Sequence, residues 1–191
     1  MITKNNNKGY TLIELIVSIA VIAIISSIMF ANYHQGGAGE SLNAAAQNLV
    51  SEIRKIQGYA LSHKEFNGTI QTTGGWGIML SSNPSHHPEK FILFFDTDDS
   101  GKFNSSSELY SDGLIGQDVK VTDISFSGTS RPYFWAIHYP PNPKIKLNGA
   151  NNPTNAFIDS EDSQEVEVTL THSGGRTKVI KLNKYGLIDV D

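Results

Sequence analysis

The sequence predicts an α+β protein, in which a long N-terminal transmembrane and stem α-helix packs against a C-terminal, mainly antiparallel β-sheet domain. Two observations predict the helix. An uncharged apolar run covers residues 15–31, and an amphipathic repeat with helical spacing follows between Leu42 and Ala60. A third observation predicts the sheets, because the chain beyond Gly68 consists of short β-branched and aromatic runs separated by turn residues.

The N-terminal apolar run is long enough to span a membrane. With residues 10–13 added, a helix would cross a hydrocarbon core of about 30 Å. The basic leader before it holds Lys4 and Lys8 and no acid. The positive-inside rule therefore predicts a cytoplasmic N-terminus and an exported remainder. One acid, Glu14, lies at the start of the run, where a carboxylate costs free energy and calls for an explanation.

Three interpretations fit this N-terminus. A secretory signal peptide would have a shorter apolar core followed by a small-residue cleavage site, and residues 29–34 lack a clean site of that kind. An uncleaved signal anchor explains everything except Glu14. In the third interpretation a peptidase cuts before the apolar run, after Gly9.

The residues Lys8-Gly9-Tyr10-Thr11-Leu12-Ile13-Glu14-Leu15-Ile16 closely resemble the class III leader of type IV pilins and type II secretion pseudopilins. The resemblance implies that prepilin peptidase cuts after Gly9 and methylates the new amine of Tyr10. It also implies that Glu14 pairs with the N-terminal amine of a neighbouring subunit in a filament, so that each charge compensates the other's burial. Tyr10 replaces the usual Phe, and the absence of proline before Pro84 disfavours a major pilin.

Composition sets further limits on the protein. The 191 residues suffice for one exported domain and a helical stem, and no cysteine is present to form a disulfide framework or a thiol nucleophile. The net charge is −4, and loss of Lys4 and Lys8 with the leader would take it to −4 − 2 = −6. An acidic exported surface argues against a general nucleic-acid binder.

We expect four segments: a leader at 1–9, a transmembrane helix at 10–33, an amphipathic stem helix at 34–66 and an exported β-rich domain at 67–191. Glycines within 36–39 are expected to interrupt the helix. The stem carries an apolar stripe with alternating spacings of four and three, expected to pack under a sheet of the same chain: Leu42, Ala46, Leu49, Ile53, Ile56 and Ala60.

The β-rich domain is expected to contain strands at 76–80, 90–95, 119–126, 133–139, 144–147, 165–171, 176–182 and 187–190. Turns or loops are expected at 140–143, 149–153 and 173–175. The final segment, Val168 to Asp189, resembles the H-type minor pseudopilins, and this resemblance implies two β-sheets packed near the end of the stem.

A loop that follows one of these strands begins like an EF-hand calcium loop, with Gly101 at the turn position. The twelfth position, which should hold an acid, is Ser107. An extra residue in the loop would let Glu108 serve instead. The alternative is an acidic turn without metal. Calcium would lock the loop through oxygen ligands from Asp96, Asp98, Ser100, the Lys102 carbonyl, Asn104 and Glu108.

No nucleophile elbow, triad-like context or phosphate-binding loop stands in the sequence, so we expect a structural subunit that is not an enzyme and requires no cofactor. The resemblance implies a minor pilin or pseudopilin of a type II secretion pseudopilus or a type IV pilus. Its partners would be other subunits through the apolar stem, prepilin peptidase and an inner-membrane assembly platform. It would be a single-pass inner-membrane protein until assembly into an extracytoplasmic filament.

Two alternatives remain open. A pilus-borne minor subunit could act as an adhesin or as a receptor for DNA uptake, for which an exposed basic stripe is needed. A membrane-anchored exported domain that never polymerises is the other alternative.

Overall fold

The computed structural model describes residues 10–70, 73–140, 145–153 and 165–191, apart from the side chains of 30–36. One α-helix, α1 (Leu12–Leu61), precedes a domain of short strands, and the α+β class is confirmed. The chain divides into two compact units, which meet in sequence between Gly37 and Ala38. The second unit extends to the C-terminus and contains the rest of α1 together with the β domain.

The helix continues through residues 36–39, so the expected interruption by glycines there is wrong. Glycine disfavours a helix by only about 1 kcal/mol relative to alanine, and tertiary packing overrides a cost of that size. The helix ends at Leu61, before the expected end of the stem at residue 66.

In the described part of the chain, ten strands form two five-stranded antiparallel sheets. The first sheet has the order β3-β2-β1-β6-β7, and the second has the order β10-β9-β8-β4-β5. The strands are β1 (Gly75–Ser81), β2 (Lys90–Asp96), β3 (Leu109–Leu114), β4 (Val119–Phe126), β5 (Thr129–Ser130), β6 (Tyr133–His138), β7 (Ile145–Ala150), β8 (Glu165–His172), β9 (Thr177–Asn183) and β10 (Ile188–Val190).

The sequence patterns locate eight of these strands and miss β3 and β5. Strand β3 contains Asp112 and Gly113, which are poor strand formers, and both missed strands lie at sheet edges. The loop expected at 149–153 is wrong in its first residues, because β7 continues through Ala150 to complete its pairing with Tyr133 of β6. Most of the turn expected at 140–143 lies outside the described residues.

All six residues of the predicted helical stripe are buried, and they share one core with apolar side chains from both sheets. This burial confirms the stripe. A second core lies on the other face of the first sheet, where Phe103 and Tyr139 pack against a cluster formed by Phe94, Tyr133, Trp135, Ile137 and Ala150. The aromatic run at 133–135 is therefore core.

Candidate functional site

The first turn of α1 is closed by the side chains of Thr11 and Glu14. The backbone N–H and the hydroxyl of Thr11 both donate to one carboxylate oxygen of Glu14, each at 2.9 Å. The backbone N–H of Glu14 donates in return to Oγ1 of Thr11 at 3.3 Å. This arrangement is a capping box. Its sequence signal is Thr-x-x-Glu before an apolar run, and the leader motif alone does not point to Thr11.

Residues Leu12–Met29 of α1 are long and apolar enough to cross a membrane, and no part of this segment is buried within the chain. Two of its hydroxyl groups are satisfied inside the helix. Ser18 donates to the carbonyl of Glu14 and Ser27 to the carbonyl of Ile24, both at 2.7 Å. Lipid or other apolar helices can therefore surround this surface with few polar groups left unpaired.

Of the two residues at the expected cleavage point, Gly9 lies outside the described residues. Tyr10 precedes the helix and is 90% exposed. Tyr10 thus lies just before α1, four residues ahead of Glu14 in the chain. Cleavage after Gly9, methylation of Tyr10 and an assembly role of Glu14 stay predictions.

Asp96 ends β2 and is fully buried, with both of its carboxylate oxygens hydrogen-bonded. One oxygen accepts from the backbone N–H of Ser100 at 3.0 Å. The other accepts from the backbone N–H of Gly101 and the hydroxyl of Tyr139, both at 2.8 Å. Burial raises the pKa of Asp96 above its ordinary value, and the hydrogen bonds from Tyr139 and Gly101 oppose that rise.

The segment from Asp96 to Glu108 is called the acidic loop below. Glu108 closes its other end, at the end of a short 3-10 helix (Ser106–Glu108), and is also buried. One of its carboxylate oxygens accepts from the backbone N–H and the hydroxyl of Thr97, each at 3.2 Å. The second oxygen accepts from the backbone N–H of Asn104 at 3.1 Å. The loop is therefore folded around this carboxylate. The acid that points inward is Glu108, one residue after the EF-hand acid position that Ser107 occupies.

Asp98 is exposed and completes the acidic cluster. Its carboxylate accepts from the Asn104 side-chain amide at 2.9 Å and from the backbone N–H of Ser100 at 3.1 Å. These bonds stabilise the ionised form and lower the pKa of Asp98 to about 2. Carboxylate oxygens of Asp96, Asp98 and Glu108 all lie within 4.8 Å of one another.

The other predicted ligands lie in the same loop. The hydroxyl of Ser100 donates to the carbonyl of Lys102 at 3.3 Å and accepts from the Asn104 amide at 3.1 Å. Gly101 has φ +75°, a left-handed conformation that glycine adopts without strain. The structure thus brings the six predicted ligand residues into one loop, in which carboxylate, hydroxyl, amide and carbonyl oxygens are the donor types that calcium binds.

Two residues distant in sequence fix this loop to the first sheet. Tyr139 reaches Asp96 as described, and the side-chain amide of Asn148 donates to the carbonyl of Gly101 at 2.6 Å. Phe103 packs against Phe94 in the second core, with ring centroids 5.7 Å apart. No local pattern links Tyr139 or Asn148 to the loop, so the sequence analysis missed both. Only the sheet topology brings them there.

Comparison with known protein families identifies the N-terminus. Residues 4–30 match the family described as the prokaryotic N-terminal methylation motif. No curated protein and no solved structure matches the chain. The matched segment contains the leader, the capping box and the apolar start of α1.

This match and the apolar helix define the class of protein. The chain carries the class III leader of type IV pilin-like proteins, which implies processing by prepilin peptidase, N-terminal methylation and assembly with other pilins. The leader motif and the apolar helix support a membrane-anchored, pilin-like protein. A leader of this kind indicates a structural subunit rather than an enzyme.

Proposed function

We propose that this chain is a minor subunit of a type II secretion pseudopilus or a type IV pilus. In this proposal, prepilin peptidase removes residues 1–9 by cutting after Gly9 and methylates Tyr10. The mature chain sits in the inner membrane as a single-pass protein with its β domain exported, and it enters a filament through its apolar helix. The match of residues 4–30 to the methylation motif is the observation that carries the proposal.

Glu14 is the residue on which assembly would depend. Its carboxylate lies at the start of an apolar helix, where an uncompensated charge is expensive. Among the described residues of the subunit, its carboxylate accepts hydrogen bonds from the neutral donors of Thr11. The liberated amine of Tyr10 in a neighbouring subunit would supply the opposite charge, and lipid would strengthen the attraction between the two groups.

The mass of the mature N-terminus tests this function. We expect full-length protein made with an active prepilin peptidase to lack residues 1–9 and to carry one methyl group on Tyr10. Omission of the peptidase should leave the leader in place. A Gly9→Val variant is the matched control, because a branched side chain should block the cut and leave the chain in the membrane. A leader retained in the presence of active peptidase would contradict the proposal.

We also propose that the acidic loop holds a structural calcium ion. The support is the convergence of the carboxylates of Asp96, Asp98 and Glu108 within 4.8 Å. Two of these three acids are buried, and like charges held this close repel unless a cation or hydrogen bonds compensate them. The ion would lock the loop against the first sheet and would take no part in a reaction.

The H-type minor pseudopilins are the subfamily that we propose for the exported domain. Two antiparallel sheets follow the stem, as that resemblance implies. The rival role is a pilus-borne adhesin or DNA receptor. The acid excess of the chain argues against DNA, and Lys181 near the C-terminus is already paired with Glu167 and Asp191. Salt-sensitive DNA affinity of the full-length protein would favour that rival role.

A further inference from the structure

The chain contains two Asn-Gly dipeptides, Asn67-Gly68 and Asn148-Gly149. This dipeptide is especially prone to spontaneous deamidation, because glycine has no side chain to hinder an attack by its backbone nitrogen. Both dipeptides lie in the unit that begins at Ala38, but their surroundings differ. These surroundings decide which of the two can react in the folded protein.

Asn67 and Gly68 form the tip of a tight, exposed turn between α1 and β1. Phe66 and Thr69 exchange two backbone hydrogen bonds across the tip, of 3.0 and 3.2 Å. Asn67 has φ +52° and Gly68 has φ +74°, as in a type I′ hairpin turn. Among the described residues, no backbone carbonyl accepts the N–H of Gly68. The attacking nitrogen is therefore open to solvent.

Asn148 and Gly149 lie within β7, paired with Trp135 and Phe134 of β6. Asn148 is 3% exposed, and Gly149 is also buried. The side-chain amide of Asn148 donates to the carbonyl of Gly101 at 2.6 Å. Deamidation here requires the sheet to open and this hydrogen bond to break.

Deamidation at the exposed dipeptide needs only its two residues and water. The backbone nitrogen of Gly68 loses its proton and attacks Cγ of Asn67, and the side-chain nitrogen takes up a proton and leaves as ammonia. Water then opens the cyclic imide at one of its two carbonyls. One product is aspartate. The other is isoaspartate, in which the main chain runs through Cβ and Cγ of the former side chain.

We propose that Asn67-Gly68 deamidates in the folded protein through local opening of its turn, and that Asn148-Gly149 reacts only when the β domain unfolds. Two backbone hydrogen bonds close the exposed turn, so its opening costs little free energy. Strand β7 opens only together with the sheet and the core around it. This site lies outside the apolar helix, and the inference does not rest on the proposed function.

Isoaspartate at residue 67 would disturb the packing behind the turn. Phe66 is buried and stacks on Phe95, with ring centroids 5.3 Å apart, and it meets Trp76 edge-on at 5.9 Å. The additional main-chain carbon of isoaspartate lengthens the turn that aligns Phe66 with Thr69. The isoaspartate form should therefore melt at a lower temperature. Ordinary aspartate tolerates positive φ and should keep the turn.

Peptide mapping of the full-length protein in lipid nanodiscs tests the site. The protein is kept at mildly alkaline pH, and samples are digested with pepsin at acid pH so that digestion itself causes no deamidation. Mass spectrometry follows the change from amide to acid, and backbone fragmentation separates isoaspartate from aspartate. In the folded protein, we expect Asn67 to convert at least about a hundredfold faster than Asn148. In urea the two rates should be similar.

Two substitutions separate the reaction from its effect on stability. Asn67→Gly removes the amide and keeps a residue that adopts positive φ, so no acid should form there and the melting temperature should not fall with age. Freshly prepared Asn67→Asp carries the charge of the aspartate product without the longer main chain, so it should melt like fresh wild type. Aged wild type should melt a few degrees lower, in proportion to its isoaspartate content.

Three results would overturn the inference. Conversion of Asn67 in urea but not in the folded protein would show that the turn protects it. Equal rates at Asn67 and Asn148 in the folded protein would assign both reactions to global unfolding. Aged protein that contains isoaspartate and melts like fresh protein would rule out the effect on the packing of Phe66.

Discussion

Among the described residues of its own subunit, the side chain of Glu14 has Thr11 as a partner, and in the proposed filament it gains a charged partner in a neighbour. The capping box with Thr11 holds the carboxylate through neutral hydrogen bonds. A cap of this type contributes about 1 kcal/mol to a helix. A charged amine attracts the same carboxylate without depending on the helix, so substitutions can separate the two roles.

Replacement of Glu14 by Gln keeps an oxygen that can accept from Thr11 and removes the charge. We expect Glu14→Gln and Glu14→Ala to be processed and retained in the membrane, but to enter filaments at least about tenfold less than the wild type. Thr11→Ala is the matched control, since it breaks the cap and keeps the charge, and it should assemble. Incorporation is measured from sheared filaments. Normal assembly of Glu14→Gln would show that the cap, not the charge, is what matters.

His138 links stability of the β domain to pH. It is buried, and its Nε2 has no hydrogen-bond partner among the residues that the structure describes. Burial lowers the pKa of His138 from 6.5 to about 4. The unfolded chain therefore binds the proton more readily than the folded chain. The contribution of His138 is complete above pH 6.5 and is lost as pH falls towards 4.

From this shift we expect His138 to lower the free energy of unfolding by about 2 kcal/mol at pH 5 relative to pH 7. Unfolding can be followed by fluorescence of Trp76 and Trp135, both of which are buried in the β domain. His138→Phe should remove this part of the pH dependence, and an NMR titration of the imidazole checks the pKa directly. An imidazole that titrates near 6.5 would contradict the explanation.

Local sequence patterns predicted some of the ligand residues of the acidic loop but not all of its structure. Its oxygen spacing from Asp96 onwards, and the turn at Gly101, could be read from the chain. The choice between Ser107 and Glu108 could not, because it depends on the 3-10 helix that turns Glu108 inward. Strand β3, which follows directly, was missed because edge strands tolerate polar residues and glycine.

Calcium should stabilise the loop and the sheet behind it. At a free concentration 100 times the Kd, we expect the free energy of unfolding to rise by about 2.7 kcal/mol, and a chelator should reverse the gain. Asp98→Asn should abolish the response. Asp123→Asn, in the second sheet, is the matched control and should retain it. The measurement is the melting temperature by tryptophan fluorescence with calcium, magnesium or chelator, and an unchanged value at millimolar calcium would exclude the ion.

Across the whole molecule, the sequence predicted the parts that repeat locally. Periodicity located the buried stripe of α1, and alternation located most strands. The division of the strands between two sheets came only from a resemblance, because pairing across distant segments has no local signature. Contacts between distant segments also bring Tyr139 and Asn148 to the acidic loop, so local patterns could not assign either residue to it.

The β domain should fold without the membrane segment. Every described residue of the two cores lies at Leu42 or later, in the unit that begins at Ala38. We expect a fragment of residues 38–191 to be soluble and to melt within a few degrees of the full-length protein in nanodiscs. A fragment that starts after Leu61 is the control and should not fold, because it lacks the stripe of α1. An unfolded 38–191 fragment would show that the apolar segment is needed for folding.

The capping box also has a consequence for the subunit before it meets a partner. One carboxylate oxygen of this acid accepts two hydrogen bonds from its own first turn, without drawing water into the hydrocarbon for that oxygen. Unassembled subunits could then remain in the bilayer with a smaller free-energy cost for the buried carboxylate. Recruitment would add the charged amine of a neighbour to the donors that Glu14 already has, so a waiting subunit would need no rearrangement before it assembles.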